Sequence, residues 1–238
     1  MINQKNIKEI KKLGIKIDHD IAFGGKSKGN KHLFRAVKIA KYLATKTKAD
    51  LSIVETGTWL HDTALPSGND YNYENNKKIV MSLLSPINIS QIDKDLIAEC
   101  VASHEGTEKP KTLEAKIVHD ADVLEKLGIL GIIRHTWKMT NSNEIDPELI
   151  NDRDVKKVLE HIKWRNKKLQ TPIAKKIARY LNVPISIKNA RIIVLIASKN
   201  AMNGVITEKI AVLVRKHLNK QQKEKLEEQL NLSYLNKF

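Results

Sequence analysis

The stretch ETGTWLHDTA, Glu55 to Ala64, closes an apolar run with an imidazole and a carboxylate side by side. His61 stands seven residues after Val54 and three after Thr58, so all three share one face of a helix, and Gly57 permits a close neighbour. Asp62, one step further, projects about 100° away around the axis. An apolar helix that ends in His-Asp has placed two ligand-type groups where packing gives way to a cavity or to water. Two other pairs, His19-Asp20 and His119-Asp120, show that the dipeptide alone carries little. Its meaning depends on what else shares the apolar faces.

Working outward, the pattern is helical nearly throughout. Leu33, Ala36, Val37, Ala40, Leu43 and Ala44 predict a helix over Lys31–Ala44, preceded by the basic loop GGKSKGN and a capping Asn30. Further helices are predicted over Leu51–Asp62, Glu74–Leu84 and Asp93–His104. One or two more follow over Thr112–Arg134, broken near Gly128 and Gly131, then Asp152–Leu181, Asn189–Met202 and Thr207–Leu230. PSGNDYNYENN, EGTEKPK and TNSNEIDPE are loops. ISIKNARIIVLIAS is the one run whose β-branched residues also suit a strand. The fold class is all-α, and no internal repeat is evident.

With 238 residues and 41% hydrophobic content the chain can fill a sizeable core. No apolar run reaches the roughly 18 residues of a membrane helix, and the N-terminus lacks a signal-type apolar segment, so a cytoplasmic location and no membrane partner are expected. A single cysteine, Cys100, excludes an intrachain disulfide and a Cys-based zinc finger. A bound metal must therefore be held by His and carboxylates. The net charge of +15 favours anionic partners, phosphates or nucleic acid, although a solvated Lys-rich surface accounts for much of it. Aromatics, at 5%, are too few for a single-strand stacking platform.

His32 opens its helix one turn before Ala36, and His104 extends the line Leu96, Cys100 by one turn. The last contribution comes from AKIVHDADVLEKLG, where Asp120 and Asp122 point to roughly opposite sides. The wheel places Asp120 among Ile117, Ala121 and Leu124, and Asp122 near Val118 and Ile129, which slightly favours Asp120 as the buried one. Each residue alone reads more simply as a cap or a packed polar group. Together they form a set on helix ends that can converge, and nitrogen and oxygen ligands without sulfur suit Mn, Fe, Co, Ni, Zn or Mg.

These residues resemble the HD-domain phosphohydrolase superfamily, whose pattern is a first His, a His-Asp pair and a later Asp on an all-helical core. The matching stretches are KHLFRAVKIAKYLA, ETGTWLHDTA and EAKIVHDADVLEKLGILGIIR, with KKLQTPIAKKIAR similar to a Thr-x-x-Ala-Lys segment of small bacterial and archaeal members. After the pair the chain departs from the family, carrying Thr63-Ala64-Leu65-Pro66. The resemblance implies an HD-type helical bundle over residues 30–180, after an N-terminal extension (1–29) and before additional C-terminal helices (181–238). It implies His32, His61, Asp62 and Asp122 as ligands of one divalent ion, the ligand being the Asp that follows Ala. Asp120 is kept for proton transfer.

The expected activity is metal-dependent hydrolysis of a nucleotide or related phosphate ester. Asp62 would orient or deprotonate the attacking water, and His104 or Asp120 would serve the leaving oxygen. Lys26, Lys28, Lys31 and Arg35, next to the first ligand, and Arg134 would hold phosphate. The alternatives are a metal-dependent single-strand nuclease and a non-catalytic nucleotide-binding HD protein. The charged C-terminal helices leave room for a homodimer.

Overall fold

Caps and breakers set the helix limits. In the computed structural model, which describes residues 2–68 and 70–238, there are twelve α-helices and, among the described residues, no strand. Asn69, in the predicted loop from Pro66 to Asn76, lies outside the described residues. The first helix, α1 (Gln4–Lys16), is closed at its start by an Asn3–Asn6 capping box. After it come a π-helical turn, Ile17–Ile21, and a 3₁₀ turn, Ala22–Gly25. The helices α2 (His32–Thr47), α3 (Leu51–Leu60), α4 (Tyr73–Leu84), α5 (Gln91–Ala102) and α6 (Leu113–Glu125) follow, four of them capped by Asp50, Asn72, Ser90 and Thr112.

The stretch Thr112–Arg134, read as one or two helices broken near Gly128 and Gly131, is two. The chain turns at Lys126–Leu127, and Gly128, with φ +58°, opens α7 (Gly128–Asn141). The predicted helix Asp152–Leu181 is likewise divided into α8 (Asp152–Lys167) and α9 (Pro172–Leu181), because Thr171 caps α9 and Pro172 takes its first position. The ambiguous run near Ile185 is helical in α10 (Ile187–Met202), capped by Ser186. Its β-branched residues Ile193 and Val194 are fully buried in helical register, and that packing outweighs their strand preference. The last predicted helix also splits, into α11 (Thr207–Arg215) and α12 (Lys220–Asn231), where an Asn219–Gln222 capping box starts anew.

Two apolar cores result. The first joins α1 to α6 and takes in α9 and the C-terminal Leu232, Tyr234 and Leu235. The second joins α7, α8, α10, α11 and α12 around Trp137, Ile133 and Val194. The segment 181–238 is therefore packed on the helices before it, and the extension 1–29 contributes Ile7 and Ile10 to buried structure. Gly57 does what the sequence asks of it. A Cβ there would stand 2.7 Å from Cys100 Cβ, so α3 and α5 approach at a distance only glycine allows. That contact sets the end of α3, and with it His61, beside the end of α5.

Candidate active site

The ends of α2, α3 and α5 meet the middle of α6. His32 is the first residue of α2, His61 and Asp62 follow the last residue of α3, and Asp122 lies inside α6. All four are at most 6% exposed. His32 Nε2 stands 3.1 Å from His61 Nε2, 3.2 Å from Asp62 Oδ2 and 3.4 Å from Asp122 Oδ1. His61 Nε2 stands 3.3 Å from both carboxylate oxygens.

The protons can be assigned from the opposite edge of each ring. His32 Nδ1 donates to Glu125 Oε2 at 2.6 Å, and His61 Nδ1 donates to the Thr58 carbonyl at 2.7 Å. Both partners only accept, so in each neutral ring Nε2 carries a lone pair. Two lone pairs and two carboxylate oxygens thus face one another with no proton among them. Asp62 Oδ1, also buried, has no hydrogen-bond partner. Ligand atoms about 2.1 Å from a shared ion stand roughly 3.0 to 3.4 Å apart, depending on the angle between them. The donor set and its spacing fit a divalent cation. Without one, the cluster compensates by taking up a proton. Burial opposes the imidazolium at His61, but Asp62 and Asp122 outweigh it and raise its pKa to about 9.

A second group adjoins the first. His104 Nδ1 donates to the Val101 carbonyl at 2.7 Å, which turns an unpartnered Nε2 toward Glu105 Oε1 at 3.4 Å and Asp62 Oδ1 at 3.8 Å. Asp62, His104 and Glu105 are a further three-residue group able to hold an ion. His119 sets the position of this turn by donating from Nδ1 to the His104 carbonyl at 2.6 Å.

Around both groups lie one buried and two half-buried cations that sequence reasoning passed over. Lys126 Nζ is 2.8 Å from Asp122 Oδ1, and Arg165 bridges Asp122 and Glu105. Lys138 pairs with Asp70 at 2.7 Å and approaches Glu105 at 3.8 Å. Burial opposes the charge of Asp122, but Lys126, Arg165 and His61 hold its carboxyl well below the usual range. Glu105 is depressed likewise, with Arg165 and Lys138 outweighing its burial. A signal for Arg165 was present: it continues the line Val155, Val158, Ile162 on the apolar face of α8, where a guanidinium needs a buried partner. Glu125 was also missed. It sits one turn after Asp122, and besides holding His32 it accepts from Arg35 Nε at 2.9 Å.

The remaining expected residues divide. Arg134 lines the cavity beside the ligand cluster, and its Nε has no hydrogen-bond partner. Arg35 stands behind His32, committed to Glu125 at 2.7 Å and Glu208 at 2.6 Å. Lys26, Lys28 and Lys31 are exposed and do not join the cluster; Lys28 stands 3.8 Å from Asp20. Asp120 is fully buried but turned away. It accepts from the backbone N–H of Gln170 and Thr171, each at 2.7 Å, and from the Thr171 hydroxyl at 2.6 Å, anchoring the start of α9. Burial raises its pKa to about 6 against those hydrogen bonds.

The cavity in front of the cluster is lined by Asp62, Glu105, Lys126, Arg134, Lys138 and Arg165 on its polar side. Phe23, Trp137, His135 and His161 also line it, the two imidazoles stacked 3.8 Å apart. Its interior is about 30 Å³, room for a water molecule or two, so a phosphate ester has to displace part of the lining. Phe23, with φ +53° and its ring edge-on to Trp137 at 5.2 Å, belongs to that lining.

Residues 30–127 match the HD domain family model. Among solved structures, a protein from Lactobacillus plantarum superposes with a TM-score of 0.57 at 23% identity, over 76% of this chain and 91% of its own. Bacillus subtilis YpgQ superposes with a TM-score of 0.54 at 20% identity, over 74% and 87%. A structure of YpgQ in complex with ADP gives a TM-score of 0.54 at 22% identity, over 74% and 87%. The likeness to these structures is one of fold. No curated protein matches the chain.

Proposed function

On the premise that this chain belongs to the HD-domain proteins, with its HD domain at residues 30–127, we propose that it is a metal-dependent phosphohydrolase acting on a nucleotide or a related phosphate ester. The observation that carries this reading is the convergence of four ligand atoms, from His32, His61, Asp62 and Asp122, in front of a cavity lined by four cations. A divalent ion held there supplies Lewis acidity, polarising a phosphoryl oxygen and acidifying water. Lys126, Arg134, Lys138 and Arg165 hold the phosphate and the charge that grows on it. Asp62, which keeps one oxygen free of the ligand cluster, orients the attacking water and accepts its proton. His104, whose Nε2 faces the same carboxylate, takes that proton from Asp62 and passes it to the leaving oxygen.

The reading of the substrate as a nucleotide is supported by the aromatic side of the cavity and by the ADP complex of YpgQ. The test is hydrolysis of nucleoside mono-, di- and triphosphates, cyclic nucleotides and a single-stranded oligonucleotide, by protein stripped of metal and supplied with each divalent ion in turn. Metal-dependent release from a nucleotide is expected. His61→Ala and Asp62→Ala are each expected to abolish it with helical circular dichroism near wild type. Turnover of the oligonucleotide alone would replace this reading with a nuclease, and retained activity in either variant would refute the site.

A further inference from the structure

The cavity has a carboxylate on the side contributed by the N-terminal extension. Asp18 lies in the π-helical turn Ile17–Ile21, outside the HD domain, and lines the cavity together with Asp62 and Arg134. It is 6% exposed, and its Oδ2 is buried with no hydrogen-bond partner. His19 Nε2 stands 3.5 Å from that oxygen, but the same nitrogen stands 3.3 Å from the Asn30 carbonyl. The turn itself is pinned, since the Ser27 hydroxyl donates to the Asp18 backbone carbonyl. A buried, unsatisfied acceptor is destabilising. It persists in a fixed turn when a ligand supplies the donor.

The charge of the group limits what that donor can be. A phosphate repels a carboxylate and has Lys126, Lys138 and Arg165 elsewhere in the cavity. The part of the substrate that meets Asp18 is therefore uncharged and carries a hydrogen to donate. Asp18 is also at the reacting end of the site, since it shares the cavity wall with Asp62 and Arg134. In a nucleoside phosphate the donors closest to the phosphorus are the sugar hydroxyls, while the base lies further off. Arg134 Nε, which stands 3.6 Å from Glu125 Oε2 and makes no hydrogen bond, provides the complementary donor for the oxygen of such a hydroxyl.

We propose that Asp18 accepts a hydrogen bond from a substrate hydroxyl next to the phosphate, so that the site prefers phosphate esters of ribose or a similar polyol to those lacking that hydroxyl. The inference rests on the phosphohydrolase reading for where the phosphate lies. The shared chemistry is the hydroxyl, and the free sugar phosphate or the nucleotide can each present it.

The experiment compares wild type, Asp18→Ala and Asp18→Asn on ADP, 2′,3′-dideoxy-ADP, ribose 5-phosphate and p-nitrophenyl phosphate. It measures kcat/KM with metal restored and, by calorimetry, equilibrium affinity for ADP and its dideoxy analogue. Wild type is expected to prefer the hydroxyl-bearing esters. Asp18→Ala is expected to reduce that preference about 10- to 100-fold, the range for a hydrogen bond to a charged group, in both rate and affinity. Asp18→Asn, which keeps an acceptor, is expected to fall between. An equal loss on p-nitrophenyl phosphate and the dideoxy analogue would overturn the proposal by placing Asp18 at the phosphate or in the fold, and an unchanged preference would overturn it too. If wild type hydrolyses nothing yet binds ADP with a preference that Asp18→Ala removes, the phosphohydrolase reading fails and the hydroxyl contact stands.

Discussion

Replacing Glu125 by Gln isolates the role of the carboxylate behind the first ligand. Glu125 is 2% exposed and accepts the Nδ1–H of His32 at 2.6 Å, which fixes the ring with Nε2 toward the cluster. Gln keeps the volume and one acceptor oxygen but removes the charge that accepts the His32 Nδ1–H. Losing such a partner behind a metal-binding His typically costs 10- to 100-fold in metal affinity, or about 1.4–2.7 kcal/mol. Stability falls as well, because Arg35 loses one of its two carboxylates. Breaking a buried ion pair outright costs about 3–5 kcal/mol. Arg35 keeps Glu208 at 2.6 Å, so a smaller loss of about 1–3 kcal/mol is expected, lowering the Tm by roughly 2–12 °C for a chain of this size. Competition with a chelator of known affinity reads the first effect, and thermal unfolding of the metal-free protein reads the second. A metal affinity within twofold of wild type, in a variant whose Tm has dropped as stated, would show that Glu125 supports the fold and does not orient the ligand.

Metal removal is expected to lower the Tm, since an ion at 100 times its Kd stabilises by about 2.7 kcal/mol, or roughly 5–10 °C here. An identical Tm with and without metal, at saturating concentration, contradicts a site built from His32, His61, Asp62 and Asp122. Gly57→Ala forces a Cβ to 2.7 Å from Cys100 Cβ and is expected to cost about 1–3 kcal/mol. An unchanged melting curve would mean that α3 and α5 do not approach as described. For His119, burial and the nearby Arg165 push the pKa down to about 4 from 6.5. The unfolded chain then binds more protons between those values, so the contribution is present above pH 6.5 and is lost as the pH falls toward 4. The loss is at most about 3 kcal/mol. Urea denaturation of the metal-free protein across that range is expected to show a flatter pH dependence in His119→Gln than in wild type; equal slopes would assign the loss to other groups.

Much of this molecule is determined by local rules that operate within a few residues. Helical periodicity and caps such as Ser186 and Thr171 specify an all-α chain, and the ends of α2, α3 and α5 were legible as places where His32, His61 and His104 reach the edge of the apolar packing. The expected cap Asn30 instead accepts from the Thr207 backbone N–H and hydroxyl, and α2 starts after Lys31 without a side-chain cap. What periodicity specifies is the angle between residues of one helix, about 100° per step; it does not specify what stands opposite. Asp120 and Asp122 are both fully buried, and only tertiary packing separates them. Asp120 meets the backbone of Gln170 and Thr171, fifty residues on, whereas Asp122 meets His32 and His61. The cations divide for the same reason. Lys26, Lys28 and Lys31 are near His32 in sequence and lie in solvent, while Arg165 and Lys138 arrive from α8 and α7 because an apolar face on each helix buries them there. Proximity along the chain is set by covalent bonds, but which charges share a cavity is set by the packing of distant apolar faces. Asp18 belongs to the same class: it is visible in the sequence only as one polar residue among several, and a pinned turn leaves its carboxylate unpartnered at the site.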